Sequence, residues 1–263
     1  EQSSNFKLKL AGKNLSLSQD LQSIWSCYHA GFYLIDSKSK QLAYSSSTFL
    51  PPRRTLVVYE DRTNNKWIGN VDGLFEYRDS ALIKPTLSHP IFAMRVEDID
   101  QLADGSLVFG TKGGGIAVWK QNKLLIIDEG AGLTSNMVEN IYVDDQQNIW
   151  VGTLAGLNKV IVMDLHQSKY TVETITIAHG LPSNEINDIL ILNNEAWIAT
   201  TTGLVNIPAS KSPNLHTYPP VLQNIQVNNE TIELSFKESY PYGSNNWQFQ
   251  FFSPNYKFPG KIP

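Results

Sequence analysis

An all-β protein assembled from a repeated four-stranded unit is what this sequence predicts, and three observations predict it. The 263 residues are 41% hydrophobic and 11% aromatic but only 17% charged, a balance that suits half-buried strands and polar turns better than long solvated helices. A short pattern of one large residue, one small residue and one glycine recurs five times in a single register. Between recurrences lie short apolar runs bounded by Asp, Asn and Gly, which read as strands and tight turns.

The recurrences are Trp25-Ser-Cys-Tyr-His-Ala-Gly31, Trp67-Ile-Gly-Asn-Val-Asp-Gly73, Val108-Phe-Gly-Thr-Lys-Gly-Gly114, Trp150-Val-Gly-Thr-Leu-Ala-Gly156 and Trp197-Ile-Ala-Thr-Thr-Thr-Gly203. Their anchors stand 42, 41, 42 and 47 residues apart. The small position holds Cys27, Gly69, Gly110, Gly152 or Ala199, which gives the single cysteine a structural reading as a compact buried side chain. One cysteine also excludes an intrachain disulfide and any Cys-cluster metal site.

Within each unit the strands follow in order. Thr55 to Tyr59, Val96 to Leu102, Val138 to Val143 and Ile186 to Ile191 precede their anchors as first strands, and polar turns such as Asp104-Gly105, 144–148 and 193–195 lead into the anchor strand. After the glycine come Leu74 to Tyr77, Ile116 to Trp119, Leu157 to Val160 and Leu204 to Ile207. Lys123 to Ile127 and Val172 to Ile177 supply fourth strands. Four short strands per unit of about 42 residues is the spacing of a β-propeller blade. Blades stack face to face, so one large residue per blade fills the space between sheets, the small one lets them approach, and the glycine permits the next turn. The indoles of Trp67, Trp150 and Trp197 are accordingly expected at equivalent buried sites. A helical repeat is a poor competitor, because Trp-Ile-Gly and Trp-Val-Gly with repeated Thr and Gly make weak helix interiors.

A formal net charge of -4, with no basic block, gives no general attraction to nucleic acid or an anionic membrane. No run of about 18 apolar residues is present, and the start lacks the pattern of a signal peptide, as in a mature or excised piece.

Gly132-Leu-Thr-Ser-Asn136, Val138-Glu-Asn-Ile141, Asp144, Asn148-Ile-Trp150-Val-Gly-Thr153 and Gly156-Leu157 together resemble the two-component regulator propeller repeat. Gly180-Leu-Pro-Ser-Asn184, Trp197-Ile-Ala-Thr200 and Gly203-Leu204 resemble it almost as closely. Earlier units depart from the pattern: Pro51-Pro-Arg53 and Phe92-Ala-Met94 stand where the Leu-Pro-Ser-Asn turn should be. The resemblance covers residues 15 to 208. It places five registered units at 1–208, with membership of a larger propeller as the alternative to a closed five-bladed ring. In the closed ring, Asn5 to Leu10 would pair with Leu204 to Ile207. A Pro- and Ser-rich linker is read at 209–220. Residues 221–263 are similar to the opening of the Y_Y_Y β-sandwich, which follows the propeller in that family, so a truncated sandwich is expected there.

The resemblance implies the periplasmic ligand-sensing region of a membrane-bound sensor histidine kinase, of the simple or the hybrid form. It implies a small-molecule or oligosaccharide ligand, no cofactor, membrane attachment only through a segment outside these residues, and a homodimer as a further partner to test. The kinase machinery itself is not in this stretch. A protein interaction scaffold and a propeller lyase are the competing readings.

Catalytic motifs were sought and none was found: there is no His-Glu-x-x-His, no Gly-x-Ser-x-Gly and no paired cysteine motif. Gly110-Thr-Lys-Gly-Gly-Gly115 lacks the Gly-Lys-Ser/Thr ending of a phosphate loop and reads as a blade turn. Glu97, Asp98 and Asp100, or Asp144 with Asp145, have the hard oxygens a divalent cation would need, against a plain reading as solvated turn and strand-edge residues. Five dispersed histidines show no metal spacing.

In a propeller, loops entering the innermost strand and loops joining strands two and three share one face around the axis, and binding residues concentrate on such loops. The candidates are therefore Arg53, Arg95, Asn136 and Asn184 at the inner-strand entrances, with Tyr28, His29, Asn70, Lys112, Leu154 and Thr201 on the second set. Arg53 and Arg95 could take a carboxylate or a sugar hydroxyl. For Asn136 and Asn184, capping their own turns is the alternative role.

Overall fold

The computed structural model describes residues 14–28, 31–36, 38, 42–45, 54–79, 81–210, 221–232, 243 and 246–252. The chain divides into two compact units at Ser212/Pro213, inside the stretch read as a linker.

The first unit is a β-propeller of five blades, each an antiparallel meander. Blade 1 holds β1 (Asn14–Leu17), β2 (Ser23–Tyr28), β3 (Gly31–Asp36) and β4 (Leu42–Ser45). Blade 2 holds β5 (Thr55–Glu60), β6 (Lys66–Asn70), β7 (Gly73–Arg78) and β8 (Ala81–Ile83). Blade 3 runs through β9 (Val96–Gln101), β10 (Leu107–Thr111), β11 (Gly115–Lys120) and β12 (Lys123–Ile127). Blade 4 runs through β13 (Val138–Val143), β14 (Asn148–Thr153), β15 (Gly156–Asp164) and β16 (Lys169–Ile175). Blade 5 has three strands among the described residues, β17 (Ile186–Leu192), β18 (Glu195–Thr200) and β19 (Gly203–Pro208).

Pairing puts the recurring motif in the same place in every blade. The small residue on the second strand faces the first strand at Cys27↔Asn14, Gly69↔Val57, Gly110↔Asp98, Gly152↔Asn140 and Ala199↔Asp188. A side chain there would collide with a neighbouring blade: a Cβ on Gly110 would lie 2.5 Å from Val138, and one on Gly152 2.7 Å from Ile186. In blade 3 the turn is one residue longer than the sequence register suggests. Gly115, rather than Gly114, pairs with Thr111 across it.

Four apolar clusters join successive blades. Trp25 and Cys27 meet Val58 and Ile68, while Val57 and Leu74 meet Val96, Ile99 and Phe109. Val108 meets Val138, Ile141 and Val151, and Trp150 meets Ile186, Ile189 and Ile198. Each of the first four anchors therefore packs onto the blade that follows. Burial of Cys27 pushes its thiol up to about 12, so it is an inert packing group.

The expectation of three equivalent buried tryptophans needs correction at Trp197. Trp150 is fully buried and Trp67 half-buried, but Trp197 is 39% exposed. It lies with exposed Leu190 and Leu204 on the face of blade 5 turned away from blade 4, and no described blade covers that face.

The indoles of Trp150 and Trp67 are also held from their own hairpins. Trp150 donates to Asp144 at 2.8 Å, and Trp67 to Asp61 at 2.9 Å. Both aspartates also accept from the asparagine four residues on, through its backbone and its side chain. One carboxylate thus closes the turn and orients the indole.

Ala209 is buried in the last blade's core, so that blade extends slightly into the stretch read as linker. The second unit is a three-stranded antiparallel sheet in the order β21-β20-β22, with β20 (Val221–Val227), β21 (Glu230–Ile232) and β22 (Trp247–Phe252). Asn5 to Leu10, whose pairing would mark a closed ring, lies outside the described residues.

Candidate functional site

The first strands β1, β5, β9, β13 and β17 surround one polar cavity of about 250 Å³ lined by Asn14, Leu56, Glu97, Asp98, Glu139, Asn140, Asn187 and Asp188. All five blades contribute, so this cavity marks the propeller axis. Four of these strands slip register at the same point, with bulged residues Leu56, Glu97, Glu139 and Asn187. A bulge places two successive residues against one on the partner strand and re-aims both. Here both residues of the pair line the cavity in blades 3, 4 and 5.

The sequence held a signal for this. Val-Glu-Asp-Ile, Val-Glu-Asn-Ile and Ile-Asn-Asp-Ile at 96–99, 138–141 and 186–189 each set two adjacent polar residues inside an apolar strand, which breaks the two-residue alternation. Glu139, Asn140, Asn187, Asp188 and Asn14 are site residues that loop position alone does not mark, because they lie inside strands.

Interblade hydrogen bonds fix this lining. Asp98 accepts from the backbone N–H of Ile141 at 3.0 Å and from the Asn140 amide at 2.9 Å, and Asp100 accepts from the N–H of Val143 at 2.7 Å. These two aspartates staple blade 3 to blade 4. Burial pushes the Asp98 carboxyl up to about 7 against its N–H donors, with nearby Asp100 and Asp188 adding repulsion. Burial likewise raises Asp100. Among the described residues no group of three or more His, Cys, Asp or Glu is arranged to hold a metal ion.

The structure brings several predicted loop residues together on one face. Lys112 N–H donates to the Arg95 carbonyl at 2.9 Å, Gly113 N–H to the Asn136 carbonyl at 2.9 Å, and Thr201 N–H to the Glu185 carbonyl at 3.2 Å. The two loop sets therefore adjoin as the fold requires. Arg95 pairs with Glu97, and Lys112 pairs across the blade boundary with Glu139, so both cations are engaged by bulge carboxylates. The Asn136 side chain accepts from Glu129 N–H at 2.7 Å and that of Asn184 from Ile177 N–H at 2.8 Å, closing the short 3-10 turns that precede their strands. Thr201 donates to Ser183 at 3.0 Å.

Tyr28 is buried and stacked on Tyr33 with centroids 4.3 Å apart, and Asn70 is buried, accepting from Asp72 N–H at 2.7 Å. Leu154 is exposed, and its N–H donates to the Met137 carbonyl at 3.3 Å, so it adjoins the inner-strand entrance of blade 4. Arg53 and His29 lie outside the described residues.

Residues 132–155, which lead into blade 4 and form its first two strands, match the two-component regulator propeller family. No curated protein matches the chain. Among solved structures it is similar to the extracellular domain of BT3049, assigned as a hybrid two-component system of B. thetaiotaomicron. The TM-score is 0.68 at 18% identity, over 92% of this chain and 35% of that one. The extracellular domain of BT4673 from the same organism gives a TM-score of 0.60 at 14% identity, over 89% of this chain and 39% of that one. Virginiamycin B lyase from Staphylococcus aureus gives 0.52 at 12% identity, over 80% and 72%. These likenesses show a propeller fold, one used by extracellular domains of two-component systems and by a lyase alike. The chain spans well under half of the first two.

Proposed function

We propose that this chain is a ligand-sensing part of the extracytoplasmic region of a two-component sensor histidine kinase, with the ligand received at the axial cavity. The observation that carries this reading is the convergence of five inner strands on one polar cavity, with adjoining loops on a single face. Its carboxylates and amides suit a hydroxyl-rich neutral ligand, each acceptor taking a hydroxyl proton. Arg95 and Lys112 are already neutralised by Glu97 and Glu139, which disfavours an anionic ligand there. An oligosaccharide is therefore the ligand class, in keeping with the family resemblance. The periplasm is the compartment proposed, and the second unit is proposed to be the opening of the sandwich that passes the signal on.

Calorimetric titration against a panel of neutral and acidic oligosaccharides tests the reading. Saturable heat with a neutral glycan, reduced at least tenfold in affinity by Asp188→Ala, is the expected result. No heat from any member would remove the oligosaccharide assignment.

A further inference from the structure

The outer rim of blade 3 carries a second recess. β12 is the edge of its sheet, so alternate backbone N–H and C=O groups along it have no strand partner. A groove of about 590 Å³ runs along residues 122–126 of this edge. Its two walls repeat one chemistry. Leu87, Ser88 and His89 come from the connection between blades 2 and 3, and Leu165, His166 and Ser168 from the β15–β16 turn of blade 4.

Leu87 packs with Leu124 and Ile126 on one face of the strand, and Leu165 with Leu125 on the other. Both faces of the edge therefore continue into an apolar floor, while both histidines are exposed above it. His89 accepts the Ile91 N–H on Nδ1 at 3.2 Å, which leaves Nε2 as its ring donor. Among the described residues no carboxylate lines the groove, and Lys123 adds a positive charge, although the chain as a whole carries -4.

We propose that this groove binds an extended acidic peptide of a partner protein, which joins β12 as a fifth strand of blade 3. Backbone pairing would satisfy the open ladder, apolar side chains would rest on the leucines of both walls, and carboxylates would meet Lys123, His89 and His166. The groove is open along the strand, and a small carboxylate would leave the ladder unpaired, so a peptide fits better.

The probe is a fluorescent Val-Val-Asp-Asp-Val-Val peptide, in which each adjacent pair sends one side chain to either face. Its anisotropy is followed as the 263-residue chain is added, with hydrogen exchange read at the amides of residues 123–127. Saturable binding with slowed exchange at β12 is expected, weakened at least tenfold by the double variant Lys123→Glu, His166→Glu and by lysine in place of aspartate in the peptide. No binding up to about 1 mM would overturn the proposal. Equal affinity for the lysine peptide would refute the charge match, and equal affinity after N-methylation of alternate peptide amides would refute strand addition. The rim and the axis are separate places, so this outcome is independent of the glycan titration.

Discussion

Single residues carry the blade geometry, and their roles differ with their neighbours. Trp150 fills the space between blades 4 and 5 and donates to Asp144, so Trp150→Ala should cost about 3 to 5 kcal/mol through lost burial and a cavity. Trp197, at the same register position but 39% exposed, should cost about 1 to 2 kcal/mol on the same change, because less apolar area is lost and no cavity forms between blades. Urea unfolding of the two variants checks the contrast. Asp61 shows how the turn carboxylate works. Burial opposes its ionised form, but donors from Trp67, Thr63 and Asn65 outweigh that and hold its carboxyl below the ordinary value. Its contribution is present above the unfolded pKa and is lost as pH falls through the lower folded value. The stability advantage of the wild type over Asp61→Asn should therefore narrow as pH drops from about 4, as read by denaturation at stepped pH.

At the scale of the element, the blade is a hairpin pair whose second strand must approach its neighbour closely. Gly152→Val puts branched carbon where Ile186 already stands, and the collision should cost about 1 to 3 kcal/mol, measured as a lowered unfolding midpoint. Strand order and register were legible because anchor, small residue and glycine recur with fixed spacing, and the first strand of each hairpin is bounded by turn residues. Val172 to Ile177 was placed too late: β16 begins at Lys169, because β15 runs on to Asp164 before turning, and Ile177 belongs to a 3-10 turn. β1, β3 and the fourth strands of blades 1 and 2, with the 3-10 turns among the described residues, do not stand out in the sequence, since short segments carry too little periodicity. The candidate site was legible at its loops and, within the strands, only at Glu97 and Asp98. Partners such as Glu97 for Arg95 and Glu139 for Lys112 depend on bulges and on contact between blades, and no local pattern states which carboxylate meets which cation.

For the propeller as a whole, the inner strands of five blades border one axial cavity. Asp98 reports on that arrangement, because Ile141 and Asn140 of blade 4 hold its carboxylate while Asp100 of its own strand and Asp188 of blade 5 repel it. A folded-state pKa raised above the unfolded value means that ionisation costs stability as pH rises between about 4 and about 7, by on the order of 4 kcal/mol. Asp98→Asn should then gain on the wild type across that window and hold the gain above it. The most direct measurement is the titration of the Asp98 side-chain carboxyl carbon by NMR in the wild-type chain, assigned with the Asp98→Asn variant. A midpoint near 7 is the predicted result. A midpoint near 4, the value of a solvated aspartate, would contradict a carboxylate buried where the inner strands of successive blades meet.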